Sequence, residues 1–281
     1  MDLLGIDIHV HPKTEEFIRA TGARATQMAA YFKRENKPVS FEELADQYRG
    51  RRMMAVLLNS DDETVSGIPP VPNDVLADAV RRHPDVFLGF GGVDPWKGAA
   101  AVREIGRCAT ELGLRGLKFN PGRQKFFPND QRFYPLYEAA AKHGLIVLFH
   151  TGMLGAGAGT PGGMGYKLKY TQPIHLDDVA GDFPELRIIG AHPSWPWQEE
   201  SLAIARHKSN FYIDLSGWAP KYFSPSLVQY ASTILQDKVL FGSDWPAIKV
   251  ERWLEEFAEL PITPEVRRKI MLDNAKALLG L

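Results

Sequence analysis

The sequence predicts an α/β fold: a single-domain (β/α)8 TIM barrel over residues 1–281, with an inserted helical segment after the first strand. Three observations carry this expectation. Eight short apolar runs recur along the chain, each followed by a helix-compatible segment, and that alternation implies a parallel sheet. A chain of 281 residues can hold eight such units in one domain, because α/β barrels often run this long. Several of the runs end in a polar residue that could coordinate a metal, and in this fold active sites lie at the C-terminal strand ends.

The first strand is Ile6-Asp7-Ile8-His9-Val10-His11. Side chains alternate along a strand, so His9 and His11 are expected on one face and Ile6, Ile8 and Val10 on the other. A helix-compatible stretch from Glu15 to Lys33 follows, broken at Asn36-Lys37-Pro38. Ser40 with Glu43 three residues on is a capping box, opening a helix to about Tyr48. Residues 13–50 are long for one connection and read as an insertion. Met53 to Asn59 is unbroken and apolar, as a strand buried on both faces should be. Asn73 is expected to cap a helix that His83-Pro84 ends.

Phe87 to Val93 is the third run, followed by a helix from about Ala99 to Leu112. Leu114 to Asn120 is the fourth, with Lys118 near its end and Arg123 and Lys125 in the loop beyond. Leu145 to Phe149 ends in His150-Thr151-Gly152. The glycine-rich stretch 152–165 lacks the Lys-Ser/Thr ending of a phosphate-binding loop and reads as a mobile active-site loop. Leu186 to Ala191 ends in His192-Pro193, and Phe211 to Leu215 in Ser216-Gly217-Trp218. Val239 to Gly242 ends in Ser243-Asp244, and two helices, Val250–Glu259 and Pro264–Leu279, finish the chain.

Composition excludes several classes of function. A formal net charge of -1 gives no electrostatic case for nucleic acid or an anionic membrane. No apolar run approaches the ~20 residues of a membrane span. The start of the chain does not read as a signal peptide. Cys108 is the only cysteine, so no intramolecular disulfide forms, which fits the cytoplasm; its helical neighbours make it a packing residue. The expected partner is a small-molecule substrate, with a homodimer left open.

Function enters at the strand ends. His9, His11, Lys118, His150, His192 and Asp244 all terminate strands and converge on one barrel rim, which takes four of the eight histidines. Three imidazole nitrogens and a carboxylate oxygen suit one divalent metal, Zn²⁺ first and Fe²⁺ or Mn²⁺ as alternatives. Trp195 and Trp218 follow strands six and seven and could flank a planar group, or serve loop packing alone.

The motifs IDIHVHP (6–12), GLRGLKFN (113–120), LFHTG (148–152), IIGAHPS (188–194) and FGSDWP (241–246) together resemble the amidohydrolase superfamily. Within it the chain is similar to the amidohydrolase-related branch that holds aminocarboxymuconate-semialdehyde decarboxylase and γ-resorcylate decarboxylase. The resemblance implies that His9, His11, His150 and Asp244 hold one metal. It makes His192 a general acid/base and Asp244 a proton acceptor from a metal-bound water. Lys118 lies where binuclear relatives carry a carboxylated lysine; here it is expected to contact an anionic substrate, with a second metal as the alternative.

The leading expectation is a metal-dependent hydrolase, with metal-activated water attacking an ester, lactone or aryl β-ketoacyl thioester. For the thioester, Arg123 and Lys125 could meet phosphates, although the first expectation for them is a solvated basic loop. The alternative is a non-oxidative, metal-dependent carboxy-lyase acting on an aromatic or muconate-type acid. A non-enzymatic metal-binding protein is the third.

Overall fold

The computed structural model describes residues 2–281. Eight parallel strands pair in chain order: β1 (Gly5–Val10), β2 (Met53–Leu58), β3 (Phe87–Gly92), β4 (Gly116–Phe119), β5 (Ile146–His150), β6 (Arg187–Ala191), β7 (Phe211–Asp214) and β8 (Val239–Leu240). The last edge meets the first through Ile8 N–H to the Phe241 carbonyl (3.0 Å) and His11 N–H to the Trp245 carbonyl (2.8 Å). Helices lie between successive strands, so the expected (β/α)8 barrel stands as one domain.

Strand alternation divides the core in two. Met53, Ala55 and Leu57 pack outward beneath the helices, in one cluster with Leu76, Ile105, Tyr137 and Trp253. Met54, Val56 and Leu58 fill the barrel with Ile6, Ile8, Phe90 and Leu148, above Leu278 and Leu279 of the final helix. Helix Ala99–Thr110 turns the fully buried Cys108 into the outer cluster, as expected of a packing residue.

The inserted segment is two short helices, α1 (Glu15–Thr21) and α2 (Ala23–Tyr31), separated at Gly22, whose φ of 60° breaks the single stretch expected there. Helix α3 (Phe41–Gly50) opens with the anticipated capping box: Ser40 Oγ accepts from Glu43 N–H (3.1 Å) and Glu43 Oε2 from Ser40 N–H (2.8 Å). Asn73 does not cap its helix. Its buried Oδ1 accepts from Gly92 N–H (2.9 Å) and Asn59 Nδ2 (2.8 Å), tying the ends of β2 and β3 together instead.

Candidate metal centre and active site

The site begins with an irregularity in β1. Asp7 pairs with Ala55 but Val10 with Leu57, so β1 carries one residue more than β2 across that step. Such a bulge reverses the facing of the residues beyond it. Ile6 and Ile8 therefore point into the barrel while Val10 joins the outer cluster, which corrects the expected shared face. The extra residue lets His9 follow Ile8 inward, where it meets His11 with Nε2 atoms 3.2 Å apart.

Asp244 Oδ1 closes this group, 3.2 Å from His11 Nε2 and 3.5 Å from His9 Nε2. Asp7, beneath it, joins the strands that carry these groups. Its carboxylate accepts from Ser243 Oγ (2.5 Å), Tyr48 Oη (2.7 Å) and Ser243 N–H (2.9 Å). Burial pushes Asp7 up to about 6, against the pull of those donors.

Behind His9 lies Asp214, at the end of β7, with Oδ2 2.9 Å from His9 Nδ1. A carboxylate there accepts only, so His9 carries its proton on Nδ1 and presents a bare Nε2 to the mouth. Asp214 Oδ1 also accepts the backbone N–H of Ser216 (2.9 Å) and of His192 (3.2 Å). Burial alone would raise Asp214, but His9 and these donors hold it below the usual carboxylate range. Asp244 behaves alike: burial opposes its charge, and His11 with His9 outweighs that. Burial drives His9 down to about 3 and also lowers His150 and His192, so all three stand neutral at pH 7.

His192 Nδ1 faces the Ser216 carbonyl at 3.0 Å, which puts its proton there and leaves Nε2 toward His150 Nδ1, at 2.9 Å. Gly217, at φ 74°, makes room for this ring: a Cβ there would lie 2.6 Å from His192 Nδ1. His192 itself (φ 73°), Ser194 (φ 63°) and Asp244 (φ 60°) take left-handed backbone conformations that non-glycine residues rarely adopt. Such conformations persist only where the surroundings enforce them.

Of the residues expected on the rim, His9, His11 and Asp244 offer ligand atoms within 4.8 Å of one another. His150 stands beyond them, bonded to His192. Lys118 is buried with Nζ 3.5 Å from His9 Nε2, and burial pushes it down to about 7 with Arg123 adding to the effect. These residues open into a cavity of about 190 Å³ roofed by α1 and α2 and by residues 153–156 of the glycine-rich loop. Gln27 of α2 holds that loop: Nε2 donates to the Ala158 carbonyl (2.8 Å) and Oε1 accepts from Gly157 N–H (2.9 Å). Trp218 lines the cavity, whereas Trp195 is 45% exposed and backs Trp218 from outside with ring centroids 5.8 Å apart. Lys125 is exposed and outside it.

Sequence reasoning passed over Asp214, Ser216 and Asp62. Asp214 was visible in principle as the one acid inside the apolar run FYIDL, directly before a strand end. Asp62 had no such signal, since its contacts are arginines 38 and 61 positions away.

A bulged strand bringing His9 and His11 together, with Asp244 after the eighth strand, gives a barrel whose mouth could hold a metal ion. A family model described as Amidohydrolase matches residues 6–281, and the chain belongs to that family. Among curated relatives, the γ-resorcylate decarboxylase of Polaromonas sp. JS666 is 24% identical over 74% of this chain and 75% of its own length. That of Rhodococcus jostii RHA1 is 24% identical with the same coverage. Among solved structures, an uncharacterized TIM-barrel protein from Bordetella bronchiseptica is 26% identical, with TM-score 0.77 over 98% of each chain. The Polaromonas dihydroxybenzoic acid decarboxylase, solved with bound manganese and 2-nitroresorcinol, has TM-score 0.69 at 20% identity, covering 99% of this chain and 97% of its own.

These relatives overturn the leading expectation of a hydrolase. Both curated relatives are decarboxylases, enzymes that remove CO₂ from an acid instead of adding water to a carbonyl. The physical reason the sequence misled is that the same donor set serves either chemistry.

Proposed function

We propose that this protein is a metal-dependent, non-oxidative decarboxylase of an aromatic carboxylic acid. The observation that supports this most is the grouping of His9, His11 and Asp244, with His9 held neutral and Asp244 held ionised, and with a neutral buried His192 beside them, in a chain whose curated relatives are decarboxylases.

The donors fit a divalent ion: imidazole nitrogen and carboxylate oxygen suit Zn²⁺ or Mn²⁺ alike. His9, His11, His150 and Asp244 would hold it. When bound, the metal supplies a positive centre that anchors the substrate's carboxylate or an adjacent oxygen and accepts developing negative charge. Zn²⁺ follows from the nitrogen-rich set, and the manganese in the Polaromonas relative makes Mn²⁺ the second candidate.

The chain's own residues do the rest. His192, neutral in the free site, takes up a proton at Nε2 from solvent as the substrate binds, gives it to the ring carbon as that carbon loses CO₂, and returns to its neutral form. Burial disfavours the charged ring, and Asp244 and Asp214 partly offset that. The Ser216 carbonyl fixes Nδ1–H, leaving Nε2, which lies against His150 Nδ1 in the free site, as the nitrogen that carries the transferred proton. Lys118 receives the carboxylate at the metal end, Arg123 adds positive charge to the wall of the same cavity, and Trp218 supplies a flat wall for the ring. Lys118 serves as a substrate contact and not as a metal bridge: burial holds it at about 7, so it takes up a proton as the carboxylate arrives and becomes cationic against the anion. The test is CO₂ release by metal-loaded protein from a panel of hydroxybenzoates. Release that disappears on chelation and returns on adding metal supports the reading, and no release from any member with metal fully loaded defeats it.

A further inference from the structure

One wall of the cavity carries more positive charge than it can neutralise. Arg24, on α2, and Arg123, beyond β4, both bind the buried carboxylate of Asp62. Arg24 Nη1 donates to Asp62 Oδ2 (2.6 Å) and Nη2 to Oδ1 (3.3 Å). Arg123 Nη2 donates to Oδ1 (3.1 Å) and Nε to Oδ2 (3.3 Å). Two guanidinium groups thus share a single carboxylate, leaving one positive charge over. Tyr166, from the far end of the glycine-rich loop, offers only a phenol oxygen 3.4 Å from Arg24 Nη1.

Arg24 is only 5% exposed, and its Nε is buried with no hydrogen-bond partner among the described residues. Arg24 and Arg123 both line the cavity that holds His11, Lys118 and Asp244. A buried cation in excess and a buried donor without an acceptor each cost stability unless something answers them. An anion in the cavity would answer the excess charge, and the planar guanidinium fork matches a carboxylate in particular.

The geometry points to a second anion subsite formed by Arg24 and Arg123, which makes the substrate a dianionic aromatic acid with two carboxylates. One carboxylate goes to the metal end beside Lys118, and the other to the arginine pair. This assignment rests on the decarboxylase reading only for which carboxylate is lost. Asp62 holds the two arginines in place and leaves them the spare charge. The insertion that carries Arg24 is then a specificity element, because it brings that charge to the cavity from outside the barrel.

The test uses metal-loaded protein titrated calorimetrically with benzene-1,3-dicarboxylate and with benzoate. Wild type should bind the dicarboxylate at least about tenfold more tightly, the size expected of one added charge-assisted pair. Arg123→Gln should bring that ratio close to one, and Arg24→Gln should do the same. Circular dichroism melts report whether each variant folds. If the more buried Arg24→Gln does not, Arg123→Gln decides alone, since its side chain is 17% exposed. A wild-type ratio near one, or a ratio unaltered in Arg123→Gln, overturns the assignment. Failure of the decarboxylase reading looks different: the preference for the dicarboxylate persists while no acid releases CO₂.

Discussion

Asp214 Oδ2 lies 2.9 Å from His9 Nδ1, with both groups fully out of solvent. This contact decides which nitrogen of His9 faces the cavity. On the proposed reading it makes Asp214 the group that orients His9 as a metal ligand.

Asp214→Asn should therefore leave the barrel folded and weaken metal binding by roughly 10–100-fold, the usual effect of losing an outer partner of a ligating histidine. Competition with a chelating dye measures it. An unchanged metal affinity would show that His9 is oriented by something else.

Gly217→Ala should leave metal content near normal and lower turnover. The new Cβ would lie 2.6 Å from His192 Nδ1 at a backbone φ of 74°, so the ring must move. Steady-state rates and elemental analysis on the same preparation check it; full activity with full metal would mean that the position of this ring does not matter.

His192→Asn should keep metal and fold while slowing decarboxylation on the order of 10²–10⁴-fold, the span typical of one general acid/base. Loss of metal in step with activity would make His192 a ligand instead.

Metal uptake at pH 7 should release few protons from His9, His150 and Asp244. His9 at about 3 and His150 below its ordinary value are already neutral, and Asp244 is already ionised. Lys118, at about 7, is protonated in about half of the molecules, and an incoming cation should expel that proton. Calorimetry in buffers of different ionisation enthalpy should find about half a proton more released by wild type than by Lys118→Met. That difference should grow toward one as pH falls below 7 and vanish as pH rises above it. Equal release by both proteins would remove Lys118 from the metal's neighbourhood.

Much of this was legible because barrel strands are short apolar runs, and a polar residue closing such a run stands out. His9, His11, Lys118, His192 and Asp244 were all found that way. The facing of Val10 was not, because a bulge depends on pairing with β2 and leaves no mark in β1 alone. Nor was the turning of His150 to His192, which depends on ring orientation. The triad of Arg24, Asp62 and Arg123 is assembled only by folding, from an insertion and two loops. The reaction was misread because imidazoles and a carboxylate around a metal serve water activation and carboxylate anchoring equally well; what separates them is the wall of the cavity.

The most direct measurement tracks the fate of the carbon that loses CO₂. Metal-loaded protein is incubated in D₂O with a hydroxybenzoate labelled with ¹³C in its carboxyl group, and CO₂ and product are quantified by mass spectrometry and NMR. The expected result is one labelled CO₂ and one ring deuteron at the vacated carbon per turnover, both lost on chelation. Consumption of the acid with its labelled carbon retained, or no turnover with metal fully loaded across the panel, would contradict it.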